Sequence, residues 1–196
     1  MQIVIASKNP HKKDEIRAIF RFRDIQLSDL SHFPEIPEPV EDGDSFAANA
    51  LIKARYYFDK VRLPVIADDS GLVVPALNGE PGIFSARYAG PESDYQKNNQ
   101  KLLARMRHIP VGQRQAYFIC CAVFWDGVKV IEAEGKLTGI IGFEPRGEYG
   151  FGYDPLFFPD GLDIALAELP PSEKNRISHR HLAFTRLKAA IERNIY

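Results

Sequence analysis

The chain has 196 residues, 45% of them hydrophobic and 26% charged, fractions ordinary for a globular protein. Its net charge is -1 and its pI is near 6.5. Proteins that grip long nucleic acid carry a basic excess, because neutralised phosphates supply much of the affinity. That partner class is excluded, whereas a small polyanion held by local cations is not. The length suits one domain over residues 1–196, with room for a lobe appended to its sheet.

Residues 2–6 form a short β-branched run suited to a buried strand, and the whole apolar start is too short for a signal peptide. Ser7-Lys8-Asn9-Pro10 punctuates it, and a helix pattern follows with Ile16, Ile19 and Phe20 on one face. Residues 25–27 read as a second strand. Residues 33–44, with Pro34, Pro37 and Pro39, read as loop because proline removes donors and fixes φ. Ser45 caps a helix through about Lys60, with Phe46, Ala50, Lys53, Ala54 and Tyr57 at helical spacing. Residues 64–67 form a buried strand running into an acidic turn, Asp68-Asp69-Ser70-Gly71, and residues 75–91 are irregular.

A further helix is expected from Ser93-Asp94 to about Arg107. Residues 115–125 and 128–136 read as a hairpin around Asp126-Gly127, a dipeptide that accepts positive φ. The adjacent Cys120 and Cys121 lie in its apolar run without metal-ligand spacing and read as core thiols in a reducing cytosol. A glycine-rich loop over residues 147–154 precedes Leu156-Phe157-Phe158, and an amphipathic helix over about 178–193 closes the chain. No run is long enough to span a membrane, so a cytoplasmic protein with no membrane partner is expected. Alternating strands and helices with one long hairpin indicate an α/β fold with a mixed sheet.

Five segments carry candidate chemistry. Residues 7–12, ending in Lys12, open a helix whose free N–H groups favour an anion. A phosphate cradle and a plain helix cap both fit them. Glu41 precedes the Ser45 helix, on which Asn49 and Lys53 share a face. Lys53 either snorkels outward or aims a partly buried cation at phosphate. Asp68 and Asp69 follow a hydrophobic strand, where paired carboxylates need a cation to offset their repulsion. Hard oxygens beside phosphate suit magnesium (Mg²⁺), and a spare carboxylate can activate water. Phe151, flanked by Gly150 and Gly152, offers either a stacking face for a base or a structural plug. Lys174, Arg176, His179 and Arg180 crowd the entry to the last helix, where an anion or purine contact fits.

Taken in order, these segments resemble the inosine triphosphate pyrophosphatase family, house-cleaning enzymes acting on non-standard purine nucleoside triphosphates. The resemblance rests on Ser7-x-Asn9-x-x-Lys12-x-x-Glu15, Glu41-x-Gly43, Ser45-Phe46-x-x-Asn49-Ala50-x-x-Lys53 and Asp68-Asp69-Ser70-Gly71-Leu72. It continues through residues 81–88, Phe151-Gly152-Tyr153-Asp154-Pro155, Glu173-Lys174-Asn175 and Ser178-His179-Arg180. It implies an elongated mixed β-sheet flanked by helices, two lobes with a central cleft, and a homodimer. It implies hydrolysis of inosine and xanthosine triphosphates and their deoxy forms to monophosphate and pyrophosphate. By the same resemblance Ser7, Lys8, Asn9, Pro10, His11, Lys12 and Lys53 would hold the triphosphate. Glu41 and Asp69 would position Mg²⁺ with support from Asp68, and Asp69 would be the water-activating base. Ser70 would touch substrate. Phe151 would stack on the purine, with Gly152, Tyr153, Asp154, Lys174, His179 and Arg180 shaping the base pocket. The alternatives are a Maf-type pyrophosphatase with another base preference, which leaves Ser178-His179-Arg180 unaccounted for, and a non-catalytic nucleotide-binding protein, which has no need of Glu41, Asp68 and Asp69. An RNA-binding protein fits the aromatic loop but not the near-neutral charge.

Overall fold

A computed structural model describes residues 2–20, 25–92 and 94–195. Six strands form one mixed sheet in the order β2-β1-β3-β4-β5-β6. Strand β1 (Gln2–Ile5) pairs in parallel with β2 (Gln26–Asp29) and with β3 (Val65–Val73). Strands β4 (Gln115–Trp125) and β5 (Val130–Ile141) are neighbours, and β6 (Phe157–Pro159) runs antiparallel to β5. Helices α1 (Pro10–Ile19), α2 (Phe46–Val61), α3 (Tyr95–Met106), α4 (Pro171–Ile177) and α5 (His179–Ile195) complete the α/β fold.

The chain packs as two compact units. The first comprises residues up to Asp69, residues 120–135, and the chain from His179 onward; the second comprises residues 70–119 and 136–178. In the first unit the strand side chains alternate between two apolar layers. Ile3, Ile5, Ile66 and Phe124 pack with Ile16 of α1 and Phe184 and Leu187 of α5. Val4, Ala6, Val65, Ala67 and Val123 pack with Ala50, Ala54 and Tyr57 of α2. The second unit has its own core, including Leu72, Leu102, Met106, Phe118, Phe157 and Leu166. Arg114 is buried there and donates to the carbonyls of Ile141, Met106, Ile109 and Gly142, so its guanidinium ties the end of α3 to the end of β5.

Several sequence expectations need correction. Asp68-Asp69-Ser70-Gly71 is not a turn: it lies inside β3, which continues to Val73. Paired acids interrupt a strand only if nothing offsets their charge, and here each face of the strand supplies cations. Residues 171–177 form a separate helix, α4, where a polar approach to the last helix was expected. Strand β5 runs to Ile141 rather than Lys136. Ser93 lies outside the described residues; the cap of α3 is Asp94, whose Oδ1 accepts the Lys97 amide at 3.0 Å. The hairpin signal holds: Asp126 Oδ1 accepts the amides of Val128 and Lys129, and Gly127 has φ +96°. Among the described residues no helix is long and apolar enough to cross a membrane.

Candidate active site

The alternation of β3 decides where its two acids go. Asp68 shares the parity of Ile66, so it faces the α1 and α5 layer. Asp69 shares the parity of Val65 and Ala67, so it faces α2.

On the first face, Lys12 Nζ of α1 donates to Asp68 Oδ2 at 2.8 Å, and Arg180 Nε of α5 stands 3.6 Å from the same oxygen. Arg180 Nη1 also donates to Glu15 Oε2 at 2.5 Å, and the Cys120 thiol lies 3.8 Å from Asp68 Oδ2. The Asp68 side chain is 2% exposed. Burial alone would raise its carboxyl, but Lys12, Arg180 and Lys53 outweigh burial and hold it well below the usual carboxylate range. Asp68 is therefore a permanent anion.

On the second face, Lys53 Nζ bridges Glu41 Oε2 at 2.9 Å and Asp69 Oδ1 at 3.3 Å. Asn49, one turn before Lys53, donates through Nδ2 to Asp69 Oδ2 at 3.3 Å. Burial pushes the Asp69 carboxyl up; Lys53 and Lys12 pull it down, Glu41 and Asp68 push it up again, and the net direction is upward. Burial would lower the Lys53 ammonium, but Asp69, Asp68 and Glu41 raise it, so it stays charged. Two neighbouring acids thus have opposite tendencies, one locked ionised and one poised to take a proton.

Asn49 was legible as the face-mate of Lys53, but its second bond was not. Its Oδ1 accepts the Gly43 amide at 2.9 Å, which ties the loop carrying Glu41 to the helix that carries Lys53. A Cβ built at Gly43 would lie 2.7 Å from Asn49 Oδ1 and 2.9 Å from Ala48 Cβ. Gly43→Ala must therefore displace Asn49 or the loop. We expect it to cost about 1–3 kcal/mol in urea unfolding, and unchanged stability would show that the loop yields freely.

At the start of α1, Asn9 Oδ1 accepts the Lys12 amide at 3.3 Å and Ser7 Oγ accepts the Asn9 amide at 3.2 Å. Pro10 opens the helix, where its missing N–H costs nothing. Asn9 thus caps the helix, and Lys12 reaches past the cap to Asp68. Lys8 is exposed, 4.0 Å from Glu38, and His11 is exposed. Ser70 is partly buried and is the first residue of the second unit.

The expected base-side residues divide between the units. Phe151, Gly152, Tyr153, Asp154 and Lys174 belong to the second, whereas His179 and Arg180 belong to the first, with Arg180 engaged by Glu15 and Asp68. In the second unit Asp154 Oδ2 accepts the Phe151 amide at 2.8 Å and the Lys174 ammonium at 2.6 Å. Lys174 Nζ stands 4.4 Å from the centroid of the half-buried Phe151 ring. Tyr153 donates its hydroxyl to the Ser85 carbonyl at 2.9 Å. Gly150 has φ +79°, and a Cβ there would meet Asp154 Oδ2 at 2.3 Å, so the loop closes on its own carboxylate only with glycine. Among the described residues no group of three or more His, Cys, Asp or Glu side chains is arranged to hold a metal ion. Glu41 and Asp69 converge as a pair on Lys53.

The α/β sheet thus presents on β3 one fixed anion and one raised carboxyl, each beside a lysine ammonium, Lys12 and Lys53. Residues 3–190 match the model of the Ham1 family, and the chain belongs to that family. It is 48% identical to a dITP/XTP pyrophosphatase of Haemophilus influenzae, over 97% of this chain and 98% of that protein. It is 45% identical to one of Thermoanaerobacter, over 96% and 95%. Among solved structures, a HAM1 protein of Coxiella burnetii superposes with a TM-score of 0.91 at 37% identity, covering 98% of this chain and 99% of that one. The Ham1 protein of Staphylococcus aureus superposes at 0.89 with 38% identity, covering 99% and 100%.

Proposed function

We propose that this chain hydrolyses non-standard purine nucleoside triphosphates, those of inosine and xanthosine and their deoxy forms, to the monophosphate and pyrophosphate. Membership of the Ham1 family and relatives named dITP/XTP pyrophosphatases support this. The observation that carries it within the molecule is the opposed setting of Asp68 and Asp69 on β3.

Asp69 acts as the base. The attacking water gives its proton to the Asp69 carboxylate, and its oxygen bonds to the α-phosphorus. The bond from that phosphorus to the α,β-bridging oxygen breaks, and pyrophosphate departs with the electron pair. A base works best with a pKa near the operating pH, which is the direction in which burial moves Asp69. Asp68 stays ionised and holds Lys12 and Arg180 in place. Ser7, Lys8, Asn9, Pro10, His11, Lys12 and Lys53 form the triphosphate cradle, and Ser70 touches substrate.

The Glu41 and Asp69 oxygens share one cation already, which is the donor set of a hard ion that takes one or two carboxylates and keeps its waters. We assign this pair, backed by Asp68, to magnesium. Bound there with substrate, Mg²⁺ would neutralise the triphosphate and polarise the phosphorus under attack.

Phe151 stacks on the purine, and the Lys174 ammonium beside it is a donor suited to the six-oxo group of inosine and xanthosine. We assign Gly152, Tyr153 and Asp154 of the second unit to base recognition, and His179 and Arg180 of the first to substrate binding. We assign residues 1–196 to one pyrophosphatase domain. The enzyme acts on the cytoplasmic nucleotide pool as a homodimer, so light scattering should return twice the 22.1 kDa chain mass; the chain mass alone would remove the dimer.

The test is product analysis. With Mg²⁺, dITP should give dIMP and pyrophosphate in equal amounts, and EDTA should stop the reaction. Release of dIDP and inorganic phosphate would reject attack at the α-phosphorus, and full activity in EDTA would reject the magnesium assignment. A second expected result concerns stacking: Phe151→Ala should raise KM for dITP about tenfold, the scale that one lost base–aromatic contact carries. An unchanged KM would remove Phe151 from the base site.

A further inference from the structure

Helix α3 lies outside every motif discussed so far, yet it holds the Phe151 loop at two points. Tyr95, at its first position, packs its ring against Phe151, with centroids 6.2 Å apart and planes at 41°. Asn99, one turn later on the same face, donates through Nδ2 to the Gly152 carbonyl at 2.9 Å. That carbonyl can only accept, which fixes the amide orientation. The other end of the amide, Oδ1, is buried and accepts no hydrogen bond among the described residues. A buried acceptor left unmade is costly, so an amide here is explained by its donor.

Contacts at both the backbone and the ring define the angle of Phe151. Its amide is held by Asp154, and its ring is met by Lys174 and Tyr95. Gly152 then turns the chain through φ +64°, a conformation whose following peptide is pinned by Asn99. Next to Asn99, Asn98 bonds the Ala89 amide and the Ala86 carbonyl of the segment whose Ser85 carbonyl accepts the Tyr153 hydroxyl. Both sides of residues 151–153 therefore refer back to the first turns of α3.

We propose that Tyr95 and Asn99 are specificity-determining positioning residues, α3 being the arm that sets the orientation of the Phe151 ring against the base. This rests on the reading that Phe151 stacks on the purine. Asn99→Asp keeps the shape but puts a carboxylate oxygen against the Gly152 carbonyl in place of the donor. It should raise KM for dITP about tenfold, with kcat changed less than about twofold. Tyr95→Leu should raise KM about threefold to fivefold, and Tyr95→Phe, which keeps the ring, should restore it. Inhibition by inorganic tripolyphosphate, which has no base, should be as strong in these variants as in the wild type.

Steady-state kinetics of Asn99→Asp, Tyr95→Leu, Tyr95→Phe and Phe151→Ala, with melting temperatures, form the experiment. Wild-type KM in Asn99→Asp and Tyr95→Leu, with a raised KM in Phe151→Ala, would overturn the role of α3 and leave stacking intact. Wild-type KM in Phe151→Ala as well would remove the stacking reading and this inference with it. An equal loss of tripolyphosphate binding, or a matching drop in melting temperature, would also overturn it, because a positioning role acts on the base alone.

Discussion

Asp69→Asn is expected to lower kcat for dITP by about 10²–10⁴-fold, the range that a positioned general base contributes, while the protein melts close to the wild-type temperature. The amide keeps the shape of the carboxyl. It can still meet Lys53 or Asn49 through one oxygen, so packing on the α2 face survives. What it loses is the capacity to take a proton. Asp69 carries a raised pKa in the folded protein, so its ionised form opposes stability, and neutralising it should not unfold the chain. A near-normal kcat would remove Asp69 as the base. A large fall in melting temperature would instead assign Asp69 to structure.

Asp68→Asn should do the opposite. Its carboxylate is buried and faces Lys12 and Arg180, so neutralising it strips both cations of a shared anion. Removing one partner of a buried pair costs about 3–5 kcal/mol, or roughly 6–20 °C in melting temperature for a chain of this size. The pH dependence follows from the sign of the shift. The folded pKa of Asp68 lies below its unfolded value, near 3.9 for a free aspartate. Its contribution is complete above that value and is lost as the pH falls below it. Wild type should lose stability on acidification below about pH 4 more steeply than Asp68→Asn. Equal stability in the two proteins at neutral pH would show that Lys12 and Arg180 do not depend on this carboxylate. These paired substitutions separate two acids that stand side by side in the chain.

Much of this site was legible from residue types and spacing. Ser45 caps α2, and Asn49 and Lys53 share its face because they are one turn apart. The Asp126-Gly127 hairpin follows from local chemistry in the same way. The acidic pair was misplaced, since two aspartates followed by Ser-Gly have the local composition of a turn. The cations that hold Asp68 come from helices distant in sequence: Lys12 of α1 is 56 residues away, and Arg180 belongs to α5. No spacing rule reports such partners. The alternation through Val65, Ile66 and Ala67 did contain the answer once the strand was extended, because it sends Asp68 and Asp69 to opposite layers. The base side was harder, since Tyr95 meets a ring and Asn99 a backbone carbonyl of a loop more than 50 residues away, Asn99 standing 53 residues from Gly152.

The central claim, that this is a pyrophosphatase selective for purines bearing an oxygen at position six, is tested most directly by kcat/KM for dITP against dATP. Adenine presents a donor amine where the site needs an acceptor, and a site built on such a hydrogen bond can reject the mismatched analogue by roughly 10⁴-fold. The account predicts a preference for dITP of at least about tenfold and up to that limit. Equal efficiency on the two substrates, measured with Mg²⁺ present, would contradict it.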